Sequence, residues 1–403
     1  ASWTRAGAVD VDSWADSWLL TTGLDELAIN DGVVVRRNLD GVKRSHAIEV
    51  TALDANGTAL ASTRALISFD ETPIGLTGDL VVPDSLDETW AKVVLAETAW
   101  DGMPQALAGV AEPRTRVAIW NALQLAVADA EVDPAVAVDV VVDALATETD
   151  DAVLRAVGRW AAGSLTGCYL AGSRRIRAVG RVSRAMLRAA ERAAPGSSRQ
   201  LAAIRVAIAT MSDTGRLRDW LEGIHLPHGL VVDAELRWSM VLRLAQLGVL
   251  DAASIDDEAA RDRSSQGAVH AARCTAARPD PTAKEAAWQA LMHDPDRPNY
   301  ELYALAEGFW HPDQTAITRP FVQRYFADIP QTAGLRSGWV VARIASLAYP
   351  WTAVDPATLE WTEQLLADDN LDRQLRRSVI DAADDLRRAL QARLAFEVAP
   401  DVT

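Results

Sequence analysis

Several residue types and motifs are scarce or missing from this chain, and each absence removes a class of chemistry. Cysteine occurs only at Cys168 and Cys274, far apart in sequence, which excludes a disulfide-stapled scaffold and any CxxC redox or metal motif. Both lie among small or apolar neighbours and read as free thiols in helices. The histidines are His46, His225, His228, His270, His293 and His311, and none opens a His-Glu-x-x-His run, so the paired-histidine helix of a zinc hydrolase is not encoded. No Gly-x-Ser-x-Gly elbow and no glycine loop able to cradle a phosphate is present. Lysine stands only at Lys43, Lys92 and Lys284, leaving arginine to carry nearly all positive charge. No apolar run is long enough to span a bilayer, and Ala1-Ser2-Trp3-Thr4-Arg5 lacks signal-peptide anatomy. A cytoplasmic protein is expected. The first residue is not methionine, so a cut or processed piece is expected as well.

What is present describes a folded protein. The 403 residues suffice for two or three domains, and 49% hydrophobic with 24% charged residues is ordinary for one with a large core. Acidic residues number 56 against 40 basic, a formal net charge of −16, which argues against nucleic acid or an anionic membrane as the main partner.

Three stretches differ in pattern. Up to Thr22 the sequence reads as a short helix with Trp14 and Trp18 one turn apart on one face. Residues 23–97 alternate. His46 to Asp54 sets Ile48, Val50 and Ala52 on one side of a strand, Asn56-Gly57 is a hairpin dipeptide, and Thr58 to Phe69 can return antiparallel. Val33–Val35, Leu80–Val82 and Val93–Leu95 are further strand candidates that would complete a small β-sandwich. Residues 98–403 are helical, cut by proline and glycine, with Asp133-Pro134, Asp280-Pro281 and Asp355-Pro356 as N-cap acids before a first-turn proline. Val232, Leu236, Met240, Leu244 and Leu247 mark a buried helix face that leaves Arg237, Arg243 and Gln246 to face elsewhere. The predicted fold class is mainly α, an irregular HEAT/armadillo-like α-solenoid preceded by a small β-sandwich.

Candidate chemistry is thin. His225-Leu226-Pro227-His228 is the closest histidine pair, but Pro227 forbids a helical ligand arrangement and a loop is the better reading. Asp368-Asp369, Asp384-Asp385 and Asp256-Asp257-Glu258 read as solvated faces and caps, with Asp384 and Asp385 spaced to pair with Arg387 and Arg388. No catalytic, cofactor-binding or metal-ligating residue is assigned. Arg174, Arg177, Arg181, Arg184 and Arg188 form one helical stripe, either a salt-bridged surface or a strip that attracts anions.

A resemblance organises these pieces. Trp14-Ala15-Asp16-Ser17-Trp18-Leu19-Leu20-Thr21-Thr22-Gly23 is similar to the W-x-x-x-W-L-x-T-x-G stretch with which family M1 zinc aminopeptidases of the aminopeptidase N type leave their catalytic domain. Leu80 to Asp84 with Trp90 to Leu95 resembles the segment closing their small β-domain, with Asp84 where asparagine is usual. Ala194-Pro195-Gly196-Ser197, Gly229 to Asp233, Leu236-Arg237-Trp238 and Asp262 to Gly267 follow in the family's order, Ser264 replacing a threonine. Both the HExxH signature and the Gly-Ala-Met-Glu-Asn motif are missing. The resemblance implies the C-terminal region of such an enzyme, actinobacterial in type. Residues 1–22 would be the last helix of a catalytic domain lying upstream in cis, 23–97 the β-sandwich and 98–403 an α-α superhelix. It implies zinc in the full-length enzyme and no cofactor in this part. This part would cap the active site and accommodate peptide substrates, with hinges at Leu95–Gly102 and the opening helix. Arg237 and Trp238, on the motif match, and Arg174, Arg177 and Arg181, on the stripe, become the candidate peptide-contacting residues. A structural role for the Arg237–Trp238 pair is the competing reading. The rival function is a stand-alone α-solenoid scaffold that binds a protein partner.

Overall fold

Strands form where the sequence alternates. In the computed structural model, which describes residues 11–38, 40–336 and 338–396, helix α1 (Val11–Trp18) is followed by β1 (Asp25–Asn30), β2 (Val33–Asn38), β3 (His46–Leu53), β4 (Ala59–Ile67), β5 (Glu71–Pro73), β6 (Leu80–Val82) and β7 (Ala91–Val94). One sheet runs β5-β2-β1-β7 and the other β4-β3-β6. Ile48, Val50 and Ala52 of β3 are fully buried on one side of the strand. Leu27 and Val34 of the first sheet share a core with Ile48, Val50 and Ile67 of the second, so the sheets face each other as a sandwich.

The β3–β4 connection is wider than the two-residue turn that Asn56-Gly57 suggests. It spans 54–58, and the Asp54 carboxylate accepts the backbone N–H groups of Asn56 (2.9 Å) and Thr58 (2.8 Å). Of the dipeptide only Gly57 takes a left-handed conformation, at φ +81°. Aspartate thus supplies the acceptor that builds a longer loop.

Two knots of charge tie the sandwich to the helices on either side. Arg44, 2% exposed, donates to the carbonyl oxygens of Ser17 (3.1 Å) and Thr22 (2.9 Å), to Thr21 Oγ1 (2.9 Å) and to the carboxylates of Asp40 (2.8 Å) and Asp25 (3.3 Å). His46 bridges Asp25 (2.9 Å) and Thr89 (2.8 Å) and meets Trp18 edge-on at 5.3 Å. On the other side, Lys92 reaches Glu26 (3.1 Å), Asp129 (2.7 Å) and Glu131 (2.8 Å). Of the two segments expected as hinges, the opening helix is held by hydrogen bonds from Arg44 and the segment after β7 is spanned by the ion pairs of Lys92. Helices α2 (Met103–Gly109), α3 (Pro113–Ala128) and α4 (Pro134–Ala144) belong to the same compact unit as the strands, which ends at Val153.

A second unit begins at Leu154, within α5 (Asp151–Trp160). The small residues of Ala161–Tyr169 continue it as a π-helical stretch. Then come α6 (Gly172–Arg192), α7 (Ser198–Thr210), α8 (Thr214–Leu221), α9 (Ala234–Gln246), α10 (Ala252–Arg261), α11 (Ser265–Ala277), α12 (Pro281–His293), α13 (Asn299–Phe309), α14 (Thr315–Asp328), α15 (Trp339–Leu347), α16 (Pro356–Leu366) and α17 (Arg373–Ala395). Asp133, Asp280 and Asp355 cap their proline-led helices as the sequence predicts, each accepting a backbone N–H of the first turn. Helices α7, α9, α11, α13, α15 and α17 pack side by side as one row, and α17 returns to pack on the π-helical stretch that also touches α7. This second unit is a closed ring of paired helices. A π-helix leaves extra carbonyls unpaired at its end, and Arg393 of α17 donates to those of Cys168 (2.6 Å) and Gly167 (3.3 Å). With seventeen α-helices among the described residues and a small preceding β-module, the chain is mainly α.

Candidate functional site

The inner row of the second unit surrounds a cavity of about 530 Å³. Arg155 and Arg159 enter it from α5, Arg175 from α6, Arg205 from α7 and Arg243 from α9, while Trp310, His311, Pro312 and Trp351 supply apolar and neutral wall. In a chain of net charge −16 this is a strongly basic hollow.

Arg243 is its most confined member. Leu236, Met240 and Leu244 place one face of α9 in the core, yet Arg243 is only 4% exposed, because the opposite face looks into the ring and not into solvent. Its Nε donates to the Met211 carbonyl (2.8 Å) and its Nη1 to Gln246 Oε1 (3.3 Å) and His311 Nε2 (3.2 Å). Burial pulls its pKa down to about 10, which still leaves a cation at neutral pH. Burial first, and then the neighbouring Arg243 charge, push His311 down to about 3 and keep the imidazole neutral, able to accept from the guanidinium. Arg175 is paired with Asp313. Neither Arg159 nor Arg205 has an ion-pair partner among the described residues.

A second hollow of about 380 Å³ shares Gly163 and Trp351 with the first and is lined by Asp381, Asp385, Tyr349 and Cys168. Burial raises both cysteine thiols to about 12, so neither Cys168 nor Cys274 offers a thiolate nucleophile.

The residues singled out in the sequence lie elsewhere. Arg174 donates to the Phe396 carbonyl, Arg177 is exposed on α6 and Arg181 is half-buried there, and none of the three lines the basic cavity. Their neighbour Arg175 does. Arg237 forks onto Glu258 through two contacts of 2.7 Å and donates to the Leu221 carbonyl (2.7 Å). Trp238 is 1% exposed, donates to Asp262 (2.9 Å) and stacks on His270 at 5.6 Å. These bonds hold α9, α10 and α11 together, and the geometry leaves neither side chain facing the cavity.

Among the described residues no three His, Cys, Asp or Glu groups converge as ligands. His225 sits in a loop at φ +53° and pairs with Asp219 (3.2 Å). The residues do not fit a zinc site. No helix among the described residues is long and apolar enough to cross a membrane.

Comparison with known proteins agrees with the fold. Over 427 aligned positions the chain is 28% identical to the aminopeptidase N of Streptomyces lividans, with 97% of this chain aligned to 49% of that protein. An aminopeptidase A of Legionella pneumophila, solved in complex with aspartic acid, superposes with a TM-score of 0.52 at 11% identity, covering 94% of this chain and 51% of that one; the likeness is one of fold. The chain spans about half the length of the relatives it matches. Residues 80–388 match the family described as ERAP1-like C-terminal domain, so the chain belongs to that family and corresponds to the C-terminal region of an M1 aminopeptidase.

Proposed function

We propose that this chain is the non-catalytic C-terminal part of a zinc-dependent aminopeptidase that removes N-terminal residues from peptides, and that it caps the active site and walls the chamber in which the peptide lies. The metal and the bond-breaking groups would belong to a catalytic domain upstream in cis. A peptide held by its N-terminus at a metal must rest its far end, a carboxylate, on some other surface. The observation that carries the reading is Arg243, a cation buried among neutral acceptors inside a ring of helices, with Arg159 and Arg205 beside it. The Nε proton and both Nη1 protons of Arg243 are taken within the protein, and its Nη2 remains to give a carboxylate charge-assisted hydrogen bonds, each stronger than a neutral one. In that role the chain positions substrate and excludes water and folded proteins, without taking part in the proton transfers.

Trp310 and Trp351 line the cavity, so indole fluorescence reports its occupation. The test is titration of the purified chain with N-acetylated tetra-alanine as the free acid and as the C-terminal amide. The acid should bind about tenfold tighter, the order expected for loss of one charge-assisted pair. Equal binding of acid and amide would sink the reading.

A further inference from the structure

The basic cavity carries more positive charge than one carboxylate answers. Arg175 is neutralised by Asp313. Glu307, the carboxylate on the lining, is engaged by Arg273 and lies 3.9 Å from Arg343, so it is not free to compensate the arginines of the cavity. Three guanidinium groups, those of Arg159, Arg205 and Arg243, are left without a carboxylate partner among the described residues. Arg159 is exposed and Arg205 half-buried, so water screens the first more than the second. Arg243 is almost out of reach of solvent. Its hydrogen-bond acceptors are a carbonyl, an amide and a neutral imidazole, and the nearby Asp313 carboxylate is already paired with Arg175, so burial still outweighs what these groups return and a further anion would stabilise it.

The α-carboxylate of an ordinary peptide answers one such cation. Arg159 and Arg205 would still line the same cavity with no carboxylate partner among the described residues, their repulsion weakened by the water that reaches Arg159. A second carboxylate on the same residue would satisfy them at no further cost in ordering a new chain segment. We infer, on the footing of the peptide-chamber reading, that this cavity selects peptides whose C-terminal residue is itself acidic, glutamate or aspartate. The α-carboxylate goes to Arg243 and the side-chain carboxylate to Arg205 and Arg159. The apolar wall of Trp310 and Trp351 packs on the methylene groups between the two anions.

The experiment uses the whole chain and three peptides, N-acetyl-Ala-Ala-Ala-Glu acid, N-acetyl-Ala-Ala-Ala-Gln acid and N-acetyl-Ala-Ala-Ala-Gln amide, followed by tryptophan fluorescence. The Glu acid is expected to bind about tenfold tighter than the Gln acid, a preference that shrinks as salt is raised. Arg205→Met and Arg159→Met, neither of which removes a bond within the protein, should each bring that ratio towards one, with melting curves confirming the fold. Glu and Gln acids that bind alike, while both exceed the amide, overturn this inference and leave the chamber reading standing. Failure of all three peptides to differ overturns both.

Discussion

Replacing Arg44 by methionine tests how the opening helix is held to the sandwich. Methionine keeps the apolar stem and removes the guanidinium. The Thr22 carbonyl and Thr21 Oγ1 lose the Arg44 donor, the Ser17 carbonyl keeps the Thr21 hydroxyl, and Asp25, with a side chain 0% exposed, keeps the His46 ring and Asn38 as partners among the described residues. Removing one member of a buried pair costs about 3–5 kcal/mol, because the surviving charge stays buried. At about 1.4 kcal/mol per decade this is a fall of a hundredfold or more in amide protection. Hydrogen exchange followed by mass spectrometry on β1 and β3, which carry Asp25 and His46, reads it directly. The double variant Arg44→Met with Asp25→Asn removes the stranded charge, so its loss should be smaller than the sum of the two single losses. A change of less than about tenfold in protection, or strict additivity, would refute the latch.

The other predictions concern single sites. Lys284 is 0% exposed, burial pulls its pKa down to about 7, and its Nζ donates to the Ala276 and Phe309 carbonyls at two helix ends, 5.0 Å from the Phe309 ring. Lys284→Ala should lower stability by about 3 kcal/mol or more in thermal melting, and an unchanged melt would contradict that role. His311 has a folded pKa below that of a free histidine, so the unfolded chain gains a proton first as pH falls. Its contribution is present above about 6.5 and is lost on acidification by up to about 1.4 kcal/mol per pH unit. His46 shifts in the same direction, so the comparison of wild type with His311→Gln isolates the effect, and parallel pH slopes for the two would exclude it. An added Cβ at Gly109 would lie 1.7 Å from the Asn56 carbonyl oxygen, whereas Gly163 has nothing within 4 Å. Gly109→Ala should destabilise the first unit strongly and Gly163→Ala should not, as melting of each variant would show.

The strands and helix starts were legible because they follow local rules. Ile48, Val50 and Ala52 alternate on a single strand, and an Asp-Pro pair both accepts the first backbone N–H groups and sets the first helical φ. The Asn56-Gly57 turn was half legible, since Asp54 two positions earlier decides the loop. The sequence sets Arg243 off the buried stripe, and what that face looks onto is a matter of topology. On a lone amphipathic helix the polar face meets water, but when the row of helices closes into a ring that face meets a cavity, and nothing in the spacing of Leu236, Met240 and Leu244 reveals the closure. The stripe of Arg174, Arg177 and Arg181 lies on α6, and none of the three lines the cavity. The residue of α6 that enters the cavity is Arg175, about 100° round the helix from Arg174 and so off that stripe. The π-helical stretch had no sequence signal beyond its run of small residues.

Whether this chain carries chemistry of its own is settled by one assay. Purified protein, assayed with zinc supplied against a panel of aminoacyl-amide substrates and analysed for bound metal, should show no turnover and no stoichiometric zinc. Turnover by pure material that EDTA abolishes and zinc restores would contradict the account at its root.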